Sequence, residues 1–433
     1  MESDPERDEN SVSGFHGAKD KPTMNGAMTP SSAPLSIGQA PRSEGHYVAG
    51  GEFNITFGYL RAFIIVLVIV HHSVIAYLFP VAPPPASSLA EHLHSLRAIS
   101  PIIDVAHSRV FFFVVFFNDR FFMSLMFFLS GLFVWKSLQR KGRLLFFRDR
   151  LIRLGLPFVV MVVLAPFTYY TTYLYCGGDS SPSGFWRQWI SLSNWPTGPA
   201  WFIWMLLAFD TIVILLSALM PSRSGLLDKM PSAVVHRPAA FFLLLVIVSA
   251  GSYIPMASIY DPGFAWWYWG PFSFQISRVF LYLVYFLFGV ILGAYGIQRT
   301  LLVPNSRLAR RWFIWALVAM ATFVANIATT LAGASRTLNA ITFLLVCAAT
   351  SIAFLAVFLR FAVRRNRILD SLYLNSYGIY VIHYVVVSWL LYAILNARLP
   401  AIAKASIVFA CALMFCWGTI SLIRRIPGVA RII

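Results

Sequence analysis

Apolar runs of about 20 residues recur from Phe57 to the C-terminus, and they restrict the possible folds of this chain more than any other feature. A run of that length crosses the roughly 30 Å hydrocarbon core as a helix, because in lipid every backbone N–H and C=O must find its partner within the protein. Of the 433 residues, 58% are hydrophobic and 12% charged, about half the charged share of a soluble domain. The expected fold class is all-α, a polytopic membrane helix bundle. Ten spans are expected, at 57–80, 119–138, 151–173, 199–219, 239–258, 274–296, 311–333, 339–361, 371–395 and 401–422. The segment 107–117, HSRVFFFVVFF, is too short to cross comfortably. It reads as interfacial or re-entrant, with an extra span as the alternative.

The formal charge of +17 would suggest a nucleic-acid partner in a soluble chain. Here the basic residues fall between apolar runs, where they report topology and contact with membrane lipids, so no nucleic acid is expected. They concentrate at alternate connections. Segment 136–153 alone holds Lys136, Arg140, Lys141, Arg143, Arg148, Arg150 and Arg153, and Arg223, Lys229, Arg237, then Arg299, Arg307, Arg310, Arg311, then Arg360, Arg364, Arg365, Arg367 follow. The other connections are poorer, with Arg97, Arg109, Arg120, Arg187, Arg278, Arg336, Arg398 and Lys404. With ten spans that alternation places both termini in the cytoplasm. Residues 1–53 are expected to be a disordered polar cytoplasmic tail, without the apolar core of a cleavable signal peptide. Residues 54–422 form the membrane domain and 423–433 a short basic cytoplasmic tail. Cys176, Cys347, Cys411 and Cys416 show no metal-binding spacing, so neither a metal nor a disulfide is expected.

Charged and titratable residues inside apolar spans are costly and mark functional candidates. Arg61 and His72 lie eleven residues apart in the first span. On a helix that spacing turns through about 1100° and climbs about 16 Å, so both share one face at different depths. His71 sits about 100° around the same helix. The plain account of Arg61 is a snorkelling cation and of His72 a helix-packing hydrogen bond. Their common face favours a polar pathway, with His72 as a base able to move a proton near neutral pH. Arg150 and Arg153 share a face if their segment is helical. Paired guanidiniums suit a phosphate-bearing ligand, although ordinary topology charge explains them more simply.

Ser130-Gly131 in the second span is a small pair that lets a neighbouring helix or a ligand come close. Gly289 and Gly293 form a GxxxG pattern read as packing within the chain. Trp201 and Trp204 fit an interfacial belt. Asp210 falls near mid-membrane and needs a partner, either an Arg or one of His71 and His72. His383 lies midway along the ninth span as a second candidate for a polar cavity. His92, His94 and His107 read as solvated loop residues rather than metal ligands.

Together these segments resemble the membrane acyltransferase family 3 over residues 54–422. Arg61 and His72 match its opening Arg-x10-His pattern, Phe127 to Gly131 its FFLSG pattern, Arg150-Leu-Ile-Arg153 its cytoplasmic Arg-x-x-Arg, and Ser376 to His383 its SYGIYVIH pattern. Residues 282–293 and 424–427 also look somewhat like the branch that modifies periplasmic glucans. The resemblance implies a ten-helix bacterial inner-membrane protein that transfers acyl groups, often acetyl, to carbohydrates and other acceptors. It makes His72 catalytic, Arg61 its essential partner, and Arg150 with Arg153 the pair that handles the donor. No permanently bound cofactor is expected; acyl-CoA, in the first place acetyl-CoA, would be the donor substrate. Some members carry a fused esterase-like domain, so a separate extracytoplasmic partner enzyme is expected for any second acyl-transfer step.

The expected activity is O-acyl transfer from cytoplasmic acyl-CoA to a hydroxyl of a cell-envelope glycan. Arg61 would bind the donor or stabilise charge near its carbonyl, and His72 would take the hydroxyl proton directly or form an acyl-enzyme. His71, Ser130, Trp201, Asp210 and His383 are candidates for the substrate cavity. Segments 81–118, 174–198 and 259–273 are expected to select the acceptor. The rivals are a transporter or flippase for a lipid-linked glycan, and a non-catalytic membrane sensor or scaffold.

Overall fold

A computed structural model describes residues 51–78, 87–94, 99–219, 232–263 and 265–432. The tail over residues 1–50, and Arg97, Arg223 and Lys229 among the topology charges, lie outside the described residues. Within them, ten helical stretches are long and apolar enough to cross a membrane, and each overlaps one of the ten expected spans.

The first crossing is α1 (Gly51–Val74), closed by a 3-10 turn at Ile75–Tyr77. The connection that follows carries the short α2 (Leu89–His94). The second crossing combines α3 (Arg109–Gly131) with α4 (Val134–Lys141). The third is α5 (Arg143–Arg150), a π turn at Leu151–Gly155, and α6 (Leu156–Tyr175). A loop helix α7 (Pro182–Ser191) starts where Ser181 Oγ accepts the Gly184 N–H at 3.2 Å. Next come α8 (Trp201–Leu219), the short α9 (Ser232–His236) and α10 (Pro238–Ile259). A hairpin of β1 (Trp266–Trp269) and β2 (Phe272–Gln275) pairs Trp266 with Gln275 and Trp269 with Phe272. The chain then forms α11 (Val279–Tyr295), a single turn α12 (Arg307–Arg310), α13 (Trp312–Leu331), α14 (Arg336–Phe361), α15 (Arg367–Ala393) and α16 (Ala401–Ile423).

Apolar character alone does not say which of these helices is central. The crossing of α14 is 72% buried within the protein and that of α13 only 11%, although both are strongly apolar. The apolar faces of α13 are therefore left for lipid, and the core lies among α1, α3, α11, α14 and α15. The small residues determine how closely the core helices meet. A Cβ on Gly131 of α3 would run into the Phe286 carbonyl of α11, and one on Gly289 of α11 would run into the Phe128 carbonyl of α3. Backbone thus meets backbone, as small residues permit in membranes, and the GxxxG of α11 packs inside the chain.

The segment 107–117 is neither re-entrant nor a separate span. Residues 109–117 are the first half of α3, which begins about ten residues before the expected edge. The misreading has a physical cause in Asn118, Asp119 and Arg120, a polar trio that interrupts the apolar run. Tertiary structure neutralises it. Arg278, at the start of α11, grips Asp119 with both terminal nitrogens, at 2.7 and 2.8 Å, and Arg120 lies 3.7 Å over the Phe116 ring. A bidentate pair plus a cation–π contact lets the trio sit within the crossing.

His92 also departs from expectation. It is fully buried, with Nε2 3.0 Å from the Ser100 carbonyl and its ring edge-on to Tyr175, whereas His94 and His107 are exposed. Folding the α2 connection down onto α6 removes His92 from water. Lys404, read only as a topology charge, is 2% exposed on α16 and bonds the equally buried Asp104 at 2.7 Å and the Leu395 carbonyl at 2.7 Å.

Candidate functional site

Helix α1 runs between α3 and α15 and carries three polar heads into the bundle. Arg61 comes first. Its Nη2 points at the Leu129 carbonyl of α3 at 3.5 Å, the outer limit of a hydrogen bond, and its Nε has no hydrogen-bond partner among the described residues. Its charge interacts with the Tyr373 phenol of α15 and opposes that of Arg150. Arg61 and Arg150 are thus within electrostatic reach of each other.

Arg150 ends α5, where the π turn begins. Its Nε lies 3.2 Å from Oδ2 of Asp210, a carboxylate 1% exposed on α8. The approach suffices for an ion pair but lacks hydrogen-bond alignment, since both Asp210 oxygens are without a hydrogen-bond partner among the described residues. Of the two partners open to Asp210, an Arg or a His, the fold supplies the Arg. Arg153 is placed differently. The i→i+5 spacing of the π turn widens the helix there, and Arg153 is exposed while its carbonyl accepts the Tyr377 hydroxyl at 2.7 Å. The two arginines do not form a side-by-side pair: one turns into the bundle and the other out of it.

Farther along α1 the imidazoles gather. The His72 ring lies 4.8 Å from Tyr384 and 5.4 Å from His383, both on α15, and 5.4 Å from His71. His383 is 0% exposed, with Nδ1 2.6 Å from the Tyr380 carbonyl. Tyr380 in turn donates its hydroxyl to the Pro199 carbonyl, which ties this turn of α15 to the start of α8. His71 points the other way, its ring 5.4 Å from Phe122. Among the described residues, the Nδ1 atoms of His71 and His72 and the Nε2 of His383 are buried without hydrogen-bond partners. Yet His71 and His72 keep some accessible surface in the middle of the bundle. Buried polar atoms are seldom left unsatisfied in a folded protein, and sites of chemistry are where the exceptions occur.

Ser130 and Trp201 stand apart from this group. Ser130 Oγ donates to the Met126 carbonyl of its own helix at 2.8 Å. Trp201 stacks on Tyr282 at 5.6 Å and meets Trp266 of the hairpin edge-on at 5.8 Å. Trp204 donates Nε1–H to the Ser273 carbonyl at 3.0 Å. The aromatic pair at the start of α8 thus supports the hairpin. Sequence reading missed Asp119 with Arg278, and Tyr380 with Tyr384. Asp119 was legible as a charge among phenylalanines; the tyrosines stand in the quoted segment of α15, where only spatial proximity distinguishes them from their neighbours.

The arrangement is polar at two levels. Guanidiniums and one carboxylate occupy the level of Arg61, and imidazoles with phenols occupy the level of His72. The α1 spacing separates the two by about 16 Å along the helix. One level suits an anion and the other proton transfer. A family model described as an acyltransferase domain matches residues 54–422. No curated protein and no solved structure matches the chain.

Proposed function

The chain belongs to this acyltransferase family, a multi-pass membrane enzyme that transfers acyl groups, and from that premise we propose that it moves an acetyl group from acyl-CoA to a hydroxyl of a cell-envelope glycan. Membership sets aside transport without chemistry and the sensor or scaffold. The observation that carries the finer reading is the separation of the two polar levels. A CoA thioester is an elongated donor, with phosphates at one end and the reacting carbonyl at the other. Its phosphates would enter at the level of Arg150 and Arg61, with Arg153 at the mouth. Its thioester would extend toward His72.

The Arg61 backbone lies about 16 Å down the helix from that of His72, which favours Arg61 as a donor-binding residue over charge stabilisation at the carbonyl that His72 serves. His72 is the general base. The acceptor hydroxyl loses its proton to His72 as its oxygen bonds to the thioester carbonyl carbon. The tetrahedral intermediate collapses with cleavage of the C–S bond, and the leaving thiolate recovers the proton from the imidazolium. General-base assistance of this kind is worth about 10²–10⁴-fold in rate.

By the alternation of basic residues the Arg150 level faces the cytoplasm of a bacterial inner membrane, where CoA is available, and the acceptor approaches from the opposite side. The hairpin and the α7 connection offer aromatic surface there, with Trp267 and Trp269 exposed. The decisive experiment follows label from radiolabelled acetyl-CoA into membrane glycans, for the native chain and His72→Ala at matched expression. Label with the native chain alone is expected. Equal label in both would remove His72 from the chemistry, and no label from any acyl-CoA would remove the CoA donor.

A further inference from the structure

The two ring nitrogens of His383 are treated differently. Nδ1 is 2.6 Å from the Tyr380 carbonyl. A carbonyl oxygen only accepts, so the hydrogen-bond network assigns the proton to Nδ1. In a neutral imidazole the other nitrogen, Nε2, then carries a lone pair and must accept. That Nε2 is fully buried, and no donor reaches it among the described residues. A lone pair held in the apolar middle of a membrane protein without a donor is a standing cost.

The neighbouring group with the complementary need is His72. Its Nδ1 is also buried and unpartnered, and the two rings stand 5.4 Å apart, tilted by 40°. Two imidazoles joined by one N–H···N bond have centroids about 5 Å apart, so the ring separation is compatible with such a bond. Tyr384, next to His383 on α15, packs edge-on against the His72 ring at 4.8 Å and limits how far that ring can swing.

We propose that His383 is the positioning residue of the acyl-transfer reaction, accepting the Nδ1–H of His72 at its own Nε2. This rests on the reading of His72 as general base. The bond selects the tautomer of His72 whose Nε2 is the free lone pair. When His72 takes the acceptor proton on Nε2, the imidazolium keeps its Nδ1 proton and shares it with the neutral His383. The charge is thereby stabilised inside the bundle without a carboxylate. When the thiolate leaves, the Nε2 proton returns to sulfur and both rings are neutral again. The arrangement performs with a second imidazole what the carboxylate of a Ser-His-Asp triad performs, namely orientation and tautomer selection. It also explains why the Nδ1 of His383 is tied to a backbone carbonyl that cannot give up a proton.

The test is steady-state acetyl transfer by the purified full chain and the variants His383→Phe, His383→Gln and His383→Asn, each checked by thermal unfolding in detergent. Phe keeps the ring volume and deletes the acceptor. Gln places a carbonyl oxygen near the Nε2 position, whereas the shorter Asn places it near Nδ1. Expected is a fall in kcat of about 100-fold for Phe and for Asn, with both KM values within twofold, and recovery by Gln to within about fivefold of the native chain. A packing role would not separate Gln from Asn in kcat. Native kcat in the Phe variant, or equal kcat for Gln and Asn in folded protein, overturns the proposal. If Phe fails to fold, the Gln–Asn contrast still decides. If the native chain itself moves no acyl group from CoA, the failure lies in the parent reading of the function.

Discussion

Two regions of this bundle bury charge, and they do so in opposite ways. Lys404 and Asp104 are each 2% exposed, and the ammonium has a carboxylate and a carbonyl within 2.7 Å. Along α1, Arg61, His71 and His72 are just as deep in sequence terms, yet each keeps a nitrogen with no hydrogen-bond partner among the described residues. The first region answers its charges with its own side chains and backbone; the second, among the described residues, does not. Intramembrane charge alone does not separate structure from chemistry, since both regions carry it; the degree of satisfaction does. The Asp119–Arg278 clamp belongs with Lys404 in its paired oxygens, although Arg278 Nε has no hydrogen-bond partner.

The comparison breaks most visibly at His72. His72→Ala should lower acetyl transfer by about 10²–10⁴-fold, while the midpoint of thermal unfolding in detergent moves by no more than a conservative surface change would move it. A large loss of stability would place His72 with Lys404 instead. Next comes the paired region. Lys404→Met should strand Asp104 and cost about 3–5 kcal/mol of stability, and adding Asp104→Leu should restore most of it. Unfolding in denaturant measures both, and a neutral single variant would remove the contrast.

A smaller effect tests the donor level. Arg150→Gln should raise KM for acyl-CoA about tenfold with kcat nearly unchanged, because the phosphates are bound alike in ground and transition states. An unchanged KM with reduced kcat would place Arg150 at the reacting carbonyl. Least of all, Tyr59→Phe removes the 2.6 Å bond from its hydroxyl to Asp370 and the 3.1 Å bond that the hydroxyl accepts from the Asn366 N–H, which join the starts of α1 and α15. About 1 kcal/mol is expected, at about 0.6 kcal/mol for each such bond between membrane helices. A loss several times larger would mean that this end of the bundle is also a completed charge site.

Much of this was legible in the residues. Ten crossings could be placed because hydropathy over 20 residues is a local property that length alone can test. Arg61 and His72 stood out because helical spacing puts them on one face. The failures share one origin. Asn118, Asp119 and Arg120 hid the first half of α3 because their neutralising partner, Arg278, lies about 160 residues later. Lys404 and Asp104, 300 positions apart, went unrecognised for the same reason. Arg150 and Arg153 looked like a pair because α-helical spacing was assumed where the chain makes a π turn.

By itself the sequence determined that this protein is a membrane helix bundle, where its chain crosses, and which helix bears the Arg and His. These follow from solvation of backbone and side chains, which each segment settles with lipid independently of the rest. Tertiary structure decided which buried charges are answered and which are left open, and that His383 faces His72. Those outcomes depend on side chains brought together from distant parts of the chain, at distances of a few ångströms on which no local pattern reports.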